Sequence, residues 1–283
     1  MPFDAKDYLI MGGLGALGVG SWLYGDKLHR DAIKRSVDLD KAYSSSPDYI
    51  PPARSEYQKL RDIAGLDTNI ASISKADIKK GVDTNNAFFI QNSTPGATGR
   101  PYLAKKTPGT AGTVLLGTDD KSLATLAHEL GHAKNYVSGK LTDRMGKKAL
   151  SALIGTITGV TGGFAARALL KYLHGTKRIS DESYNYWSIA PSLFGGLVGG
   201  SAYYLGDTYA LKEEEAASKN ALKYLKEYGH KGKDLKEDRK RLDSALDTYR
   251  TLRKKHALRT LGIGLGVGGF SYGLSKWLNE HGY

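Results

Sequence analysis

Four stretches of the chain carry no charge at all: Tyr8 to Tyr24, Ala149 to Ala166, Trp187 to Gly206 and Thr260 to Ser275. A helix that crosses a bilayer needs about 20 apolar residues, within a range of roughly 17–25. The third stretch reaches that length, and Leu169 and Leu170 extend the second past Arg167, whose long side chain can snorkel. All four contain paired glycines: Gly12-Gly13, Gly162-Gly163, Gly195-Gly196 and Gly268-Gly269. Small residues let membrane helices approach closely, whereas each glycine weakens an ordinary soluble helix by about 1 kcal/mol. Trp22, Tyr24, Trp187, Tyr203, Tyr204 and Trp277 stand near the ends of these stretches, where interfacial aromatic residues belong. The pattern predicts about four Gly-rich transmembrane helices, at residues 8–24, 149–170, 187–206 and 260–275. A set of buried helices in a soluble α protein is the competing reading. Asp4 and Asp7 flank the single Lys6 and no small-x-small cleavage site precedes Gly25-Asp26, so the first stretch reads as an uncleaved anchor.

The polar remainder divides into a main domain at 25–148, a short link at 167–186 and a helical region at 207–259. In the main domain, helices are expected at 27–45 and 53–64, separated by Pro51-Pro52. A turn-rich stretch from Asn92 to Gly112 lies between two short apolar runs, Ala87–Ile90 and Thr113–Leu116, and Val114-Leu115-Leu116 is a strand candidate. Asp119 or Asp120 can cap a following helix, at about 120–137, whose buried stripe would be Leu123, Leu126, Ala127, Leu130, Ala133 and Val137. The expected class is therefore mainly α, an α+β domain with a small sheet attached to the membrane helices.

Composition narrows the chemistry. The chain has 283 residues and no cysteine, which removes disulfides, iron–sulfur clusters and thiolate metal sites. Any metal must be held by His, Asp or Glu. The net charge of +12 is interleaved with acids and accompanies no recognised nucleic-acid motif, so no nucleic acid is expected as a partner.

The helix expected at about 120–137 carries His128-Glu129-Leu130-Gly131-His132, the HExxH pattern. Residues at i and i+4 share a helix face, so the two imidazoles can address one zinc ion. Zinc acidifies a water, and Glu129 can act as its general base. A catalytic site of this kind needs a third protein ligand and one open position. In the helix expected to begin at Leu211, residues Leu211, Glu214, Ala217, Ser218, Ala221, Leu222, Leu225 and Tyr228 share one face. Glu214 is the acid that interrupts this otherwise apolar stripe, which marks it as the third ligand of a single zinc ion. Glu213 and Glu215 project from it as a solvated face would, and a plain surface run of three acids is the alternative.

Asn86-Ala87-Phe88, the strand-like run, Leu126 to His132, two hydrophobic segments and then Glu-x-x-Ala at 214–217 resemble the membrane-bound gluzincin peptidases of the HtpX and CAAX-prenyl type. The resemblance covers about 85–137 and 207–225. It implies a zincin-like catalytic domain, zinc bound by His128, His132 and Glu214, and Glu129 as catalytic base. In those peptidases the motif usually continues with an Asp that orients a zinc-bound His; here Ser218 takes its place, and it lacks the charge. The implied function is a membrane-anchored zinc metalloendopeptidase acting on protein or peptide substrates. The other class left open is a membrane-embedded structural or membrane-remodelling protein, virus-encoded among the options, with a vestigial or stabilising zinc site.

Four spans would put 25–148 and 207–259 on one side and both termini with the short link on the other. Lys27/Arg30/Lys34/Arg35, Lys140/Arg144/Lys147/Lys148 and Arg250/Arg253/Lys254/Lys255/Arg259 all flank the first side. The positive-inside rule then expects a multi-pass membrane protein with its catalytic domain in the cytoplasm. The basic helix with Leu235, Leu242, Ala245, Leu246, Tyr249 and Leu252 at helical spacing could cover that domain, pair with another helix or lie on lipid headgroups. His29, His174, His230, His256 and His281 read as surface residues, and Tyr136 as packing.

Overall fold

The computed structural model describes residues 4–47, 49–72, 88–91, 112–116 and 122–281. The chain is mainly helical with one small sheet. In order come α1 (Ala5–Ser44), α2 (Arg54–Ala64), β1 (Asn69–Ser72), β2 (Phe88–Gln91), β3 (Gly112–Leu116), α3 (Leu123–Val137), α4 (Lys140–Gly175), α5 (Asp181–Trp187), α6 (Ala190–Tyr228) and α7 (Gly232–Glu280). Most of the turn-rich stretch, together with Asn86, Ala87, Asp119 and Asp120, lies outside the described residues. The chain divides into two compact units.

One unit comprises Ile33–Gly146 and Ala210–Asp247. Its sheet has the order β1-β3-β2, with β1 parallel and β2 antiparallel to β3. β3 is the central strand, which explains its unbroken apolar run: Val114 and Leu116 are wholly buried and Leu115 nearly so. α3 packs on α2, β2 and β3. Tyr57, Leu60, Val114, Leu116, Leu126, Leu130, Leu225 and Leu242 form the core between these elements.

α3 starts at Leu123 under a Ser122 cap, whose hydroxyl accepts the Thr125 amide at 3.2 Å. Ser122, rather than Asp119 or Asp120 as expected, is thus the cap of this helix. The predicted stripe is buried from Leu123 to Ala133, but Val137 is 59% exposed. In the last turn the buried position falls to Asn135 instead, which faces α6. The helix expected to begin at Leu211 is the second half of α6, because Gly206 alone does not interrupt it.

The other unit comprises the chain up to Ala32, Lys147–Tyr209 and Thr248–Tyr283. Among the described residues, one helix, α4, is long and apolar enough to cross a membrane. The other three uncharged stretches fall in α1, α6 and α7, with α6 starting at Ala190 and Trp187 closing α5. Within this unit the helices meet through small residues. Gly18 lies against Gly262, Gly196 against Gly264 and Gly155 against Ala202. Large apolar side chains point outward, among them Leu17, Leu153, Ile157, Phe164, Leu197 and Phe270.

Candidate metal centre

His128 and His132 lie one turn apart on α3 and present their rings on the same side, with centroids 4.7 Å apart. Gly131, between them, sits against the backbone of Ala217 on α6. A methyl group there would overlap the Ala217 carbonyl oxygen and lie 2.8 Å from its Cα. The missing side chain lets α6 approach to backbone contact. Glu214, one turn before Ala217, is thereby delivered to the histidines.

Three atoms converge. Nε2 of His128 lies 3.0 Å from Oε2 of Glu214 and 3.1 Å from Nε2 of His132, and the latter is 3.3 Å from the same Glu214 oxygen. A tetrahedral zinc site with bonds of about 2.0–2.1 Å spaces its ligand atoms about 3.3 Å apart. The triangle therefore fits three corners of such a site and leaves the fourth open. Two imidazole nitrogens and a carboxylate crowd together only around a cation, whether a proton or a metal ion. His128, His132 and Glu214 could hold a metal ion, and their side chains are 14–15% exposed, enough for access from solvent.

The far nitrogens of both rings are also engaged. Nδ1 of His132 lies 3.0 Å from Oε1 of Glu213, and Nδ1 of His128 lies 3.2 Å from the hydroxyl of Ser218. When Nδ1 donates, the lone pair of a neutral imidazole is left on Nε2, which is the ligating tautomer. Glu213 does not lie on the solvated face that its helical position predicts. It is 2% exposed and also accepts from Asn135 Nδ2 at 2.7 Å and from Arg144. The partners that draw it inward lie on α3 and α4, far away in sequence. In the sequence, only a polar Asn135 close behind the motif and Arg144 within the following basic cluster point to them.

The electrostatics agree with a cation-binding role. Burial alone would depress the His132 imidazole, but the carboxylates of Glu213 and Glu214 outweigh it and push it up to about 10. Burial would raise Glu214, yet hydrogen bonds with both histidines hold it down at about 2. Glu129 is 8% exposed, and burial raises its carboxyl above the ordinary range against the opposing pull of the two imidazoles.

The remaining histidines are more occupied than the sequence suggested. Nδ1 of His230 pairs with Asp238 at 2.6 Å, and Nδ1 of His256 with Asp207, also at 2.6 Å. His174 pairs with Asp181, His29 meets the Thr251 hydroxyl and Nδ1 of His281 lies 2.8 Å from the Trp277 carbonyl oxygen, so all five make local contacts. Tyr136 packs its ring against Phe89. No family model, no curated protein and no solved structure matches the chain.

Proposed function

We propose that the chain is a membrane-anchored zinc metalloendopeptidase of the gluzincin type. The observation that carries this reading is the convergence of His128, His132 and Glu214 on one point, with Glu129 buried beside the imidazoles on the same helix. When bound there, zinc supplies Lewis acidity, which polarises a carbonyl and brings the pKa of a water near 7. The chain's own residues do the rest. Glu129 takes a proton on its carboxylate from the attacking water, and its burial favours holding that proton until the leaving amine accepts it. Glu213 and Ser218 meet Nδ1 of His132 and of His128, which orients each ring so that its Nε2 faces the point where the ion would sit.

The second unit supports a multi-pass arrangement. Its outward-facing surface is apolar and its helix contacts are made by small residues, the reverse of a soluble bundle. Ion pairs occur in two layers. Asp7 with Lys276 and the Tyr272 hydroxyl forms one, while Asp26 with Lys255 and Arg259, and Asp207 with Lys148 and His256, form the other. At the helical rise, Asp7 and Asp26 are about 28 Å apart along α1, and Arg259 and Lys276 about 26 Å along α7, close to the thickness of a hydrocarbon core. The basic clusters stand in sequence beside the second layer, and the positive-inside rule applied to them supports a cytoplasmic side for that layer. Protein or peptide segments reaching that face are the proposed substrates.

Hydrolysis of an unfolded casein-like substrate by purified protein tests this function. Activity that disappears with a chelator, returns with zinc and is lost in Glu129→Gln is expected. Equal turnover by Glu129→Gln would overturn it, and zinc binding without any hydrolysis would favour a stabilising zinc in a structural membrane protein.

A further inference from the structure

We propose that Glu213 is the positioning residue of the metal centre, supplying to His132 the charged partner that Ser218 cannot give to His128. The proposal rests on the zinc reading above. Glu213 and Glu214 are consecutive in α6, yet their carboxylates meet opposite edges of the same His132 ring. Glu214 lies 3.3 Å from Nε2, and Glu213 lies 3.0 Å from Nδ1. One glutamate is placed to bind the ion and the next to aim the ring that binds it.

A buried carboxylate is retained only when its oxygens are satisfied. At Glu213, Oε1 accepts from His132 Nδ1 and from Asn135 Nδ2, and Oε2 accepts from Arg144 Nη1. Asn135 is itself buried, and its own side-chain oxygen accepts from Asn220 at 3.3 Å. The carboxylate is therefore clamped by α3 on one side and by Arg144 at the start of α4 on the other. With the clamp in place, Nδ1 of His132 donates to Glu213, and Nε2 is aimed at the point it shares with His128 and Glu214. A simple ion pair between Glu213 and Arg144 would need neither the contact with Nδ1 nor the one with Asn135.

The test uses the full chain in detergent or nanodiscs, with zinc affinity measured by competition against a chromophoric chelator. Glu213→Gln keeps the shape and removes the charge, and it should weaken zinc by about 10- to 100-fold, the usual effect of losing a carboxylate behind a ligating histidine. In the zinc-loaded wild type, nitrogen-15 NMR should show a downfield Nδ1–H of His132, and this resonance should move upfield in the variant. Glu213→Asp, which keeps the charge for Arg144 but withdraws the carboxylate from the ring, should show the same loss and decides the matter if Glu213→Gln does not fold. Affinity within twofold of wild type, or an unchanged His132 resonance, would overturn the proposal. A wild type that binds no zinc would overturn the zinc reading itself, a result seen before any variant is made.

Discussion

Gly131 meets the backbone of Ala217 with no room for even a methyl group between α3 and α6. That contact sets the separation of the helix bearing the histidines from the helix bearing Glu214. The residues between His128 and His132 in the motif therefore matter for packing as well as spacing.

Gly131→Ala should push the two helices apart. A forced methylene in a tight core costs about 1–3 kcal/mol, and here the obstacle is backbone, which gives less readily than a side chain. Thermal unfolding should show lowered stability, and metal analysis should show substoichiometric zinc. A variant with the wild-type melting temperature and one zinc per chain would show that the contact does not set the site.

Glu129→Gln should leave zinc binding intact, since Glu129 is not among the three converging ligands. Loss of general acid–base work typically costs about 10²- to 10⁴-fold. The expected pattern is full metal content with peptide hydrolysis reduced by at least that lower factor.

How much of this could be read from the chain differs by feature. His128, His132 and Glu214 stood out because each is set by a period along a single helix, and the structure brings them together. The strand at Val114–Leu116 and the proline break before α2 rest on equally local signals. Glu213 was missed because its environment is made by Asn135 and Arg144, which no helical projection of α6 contains. Val137 failed for a related reason: the stripe rule assumes one buried face along the whole helix, whereas the end of α3 turns Asn135 toward α6. The half-buried histidines, too, owe their partners to the tertiary fold.

His230 gives a pH signature separate from the candidate metal centre. Its hydrogen bond with Asp238 raises the imidazole above 6.5 despite partial burial. A raised folded pKa contributes stability that is fully present below the unfolded value of about 6.5 and is lost as pH rises through the folded value. His230→Gln should therefore lower the melting temperature more at pH 6 than at pH 9, by about 2–4 °C at the acidic end for a largely buried pair. An equal effect at both pH values would show that the charged form contributes nothing.

The absence of native cysteine makes topology directly measurable. Ser45→Cys, just past α1, and Thr176→Cys, just past α4, should react with a membrane-impermeant maleimide from opposite sides of the membrane. Ser45→Cys should label only in inside-out vesicles and Thr176→Cys only in right-side-out ones. Labelling of both from the same side would contradict the four-span arrangement.

The most direct test of the central claim is the metal content of the purified protein beside that of His132→Ala. One zinc per chain in the wild type and little or none in a folded His132→Ala is the predicted result. A metal-free wild type, or a variant that retains its zinc in full, would contradict it.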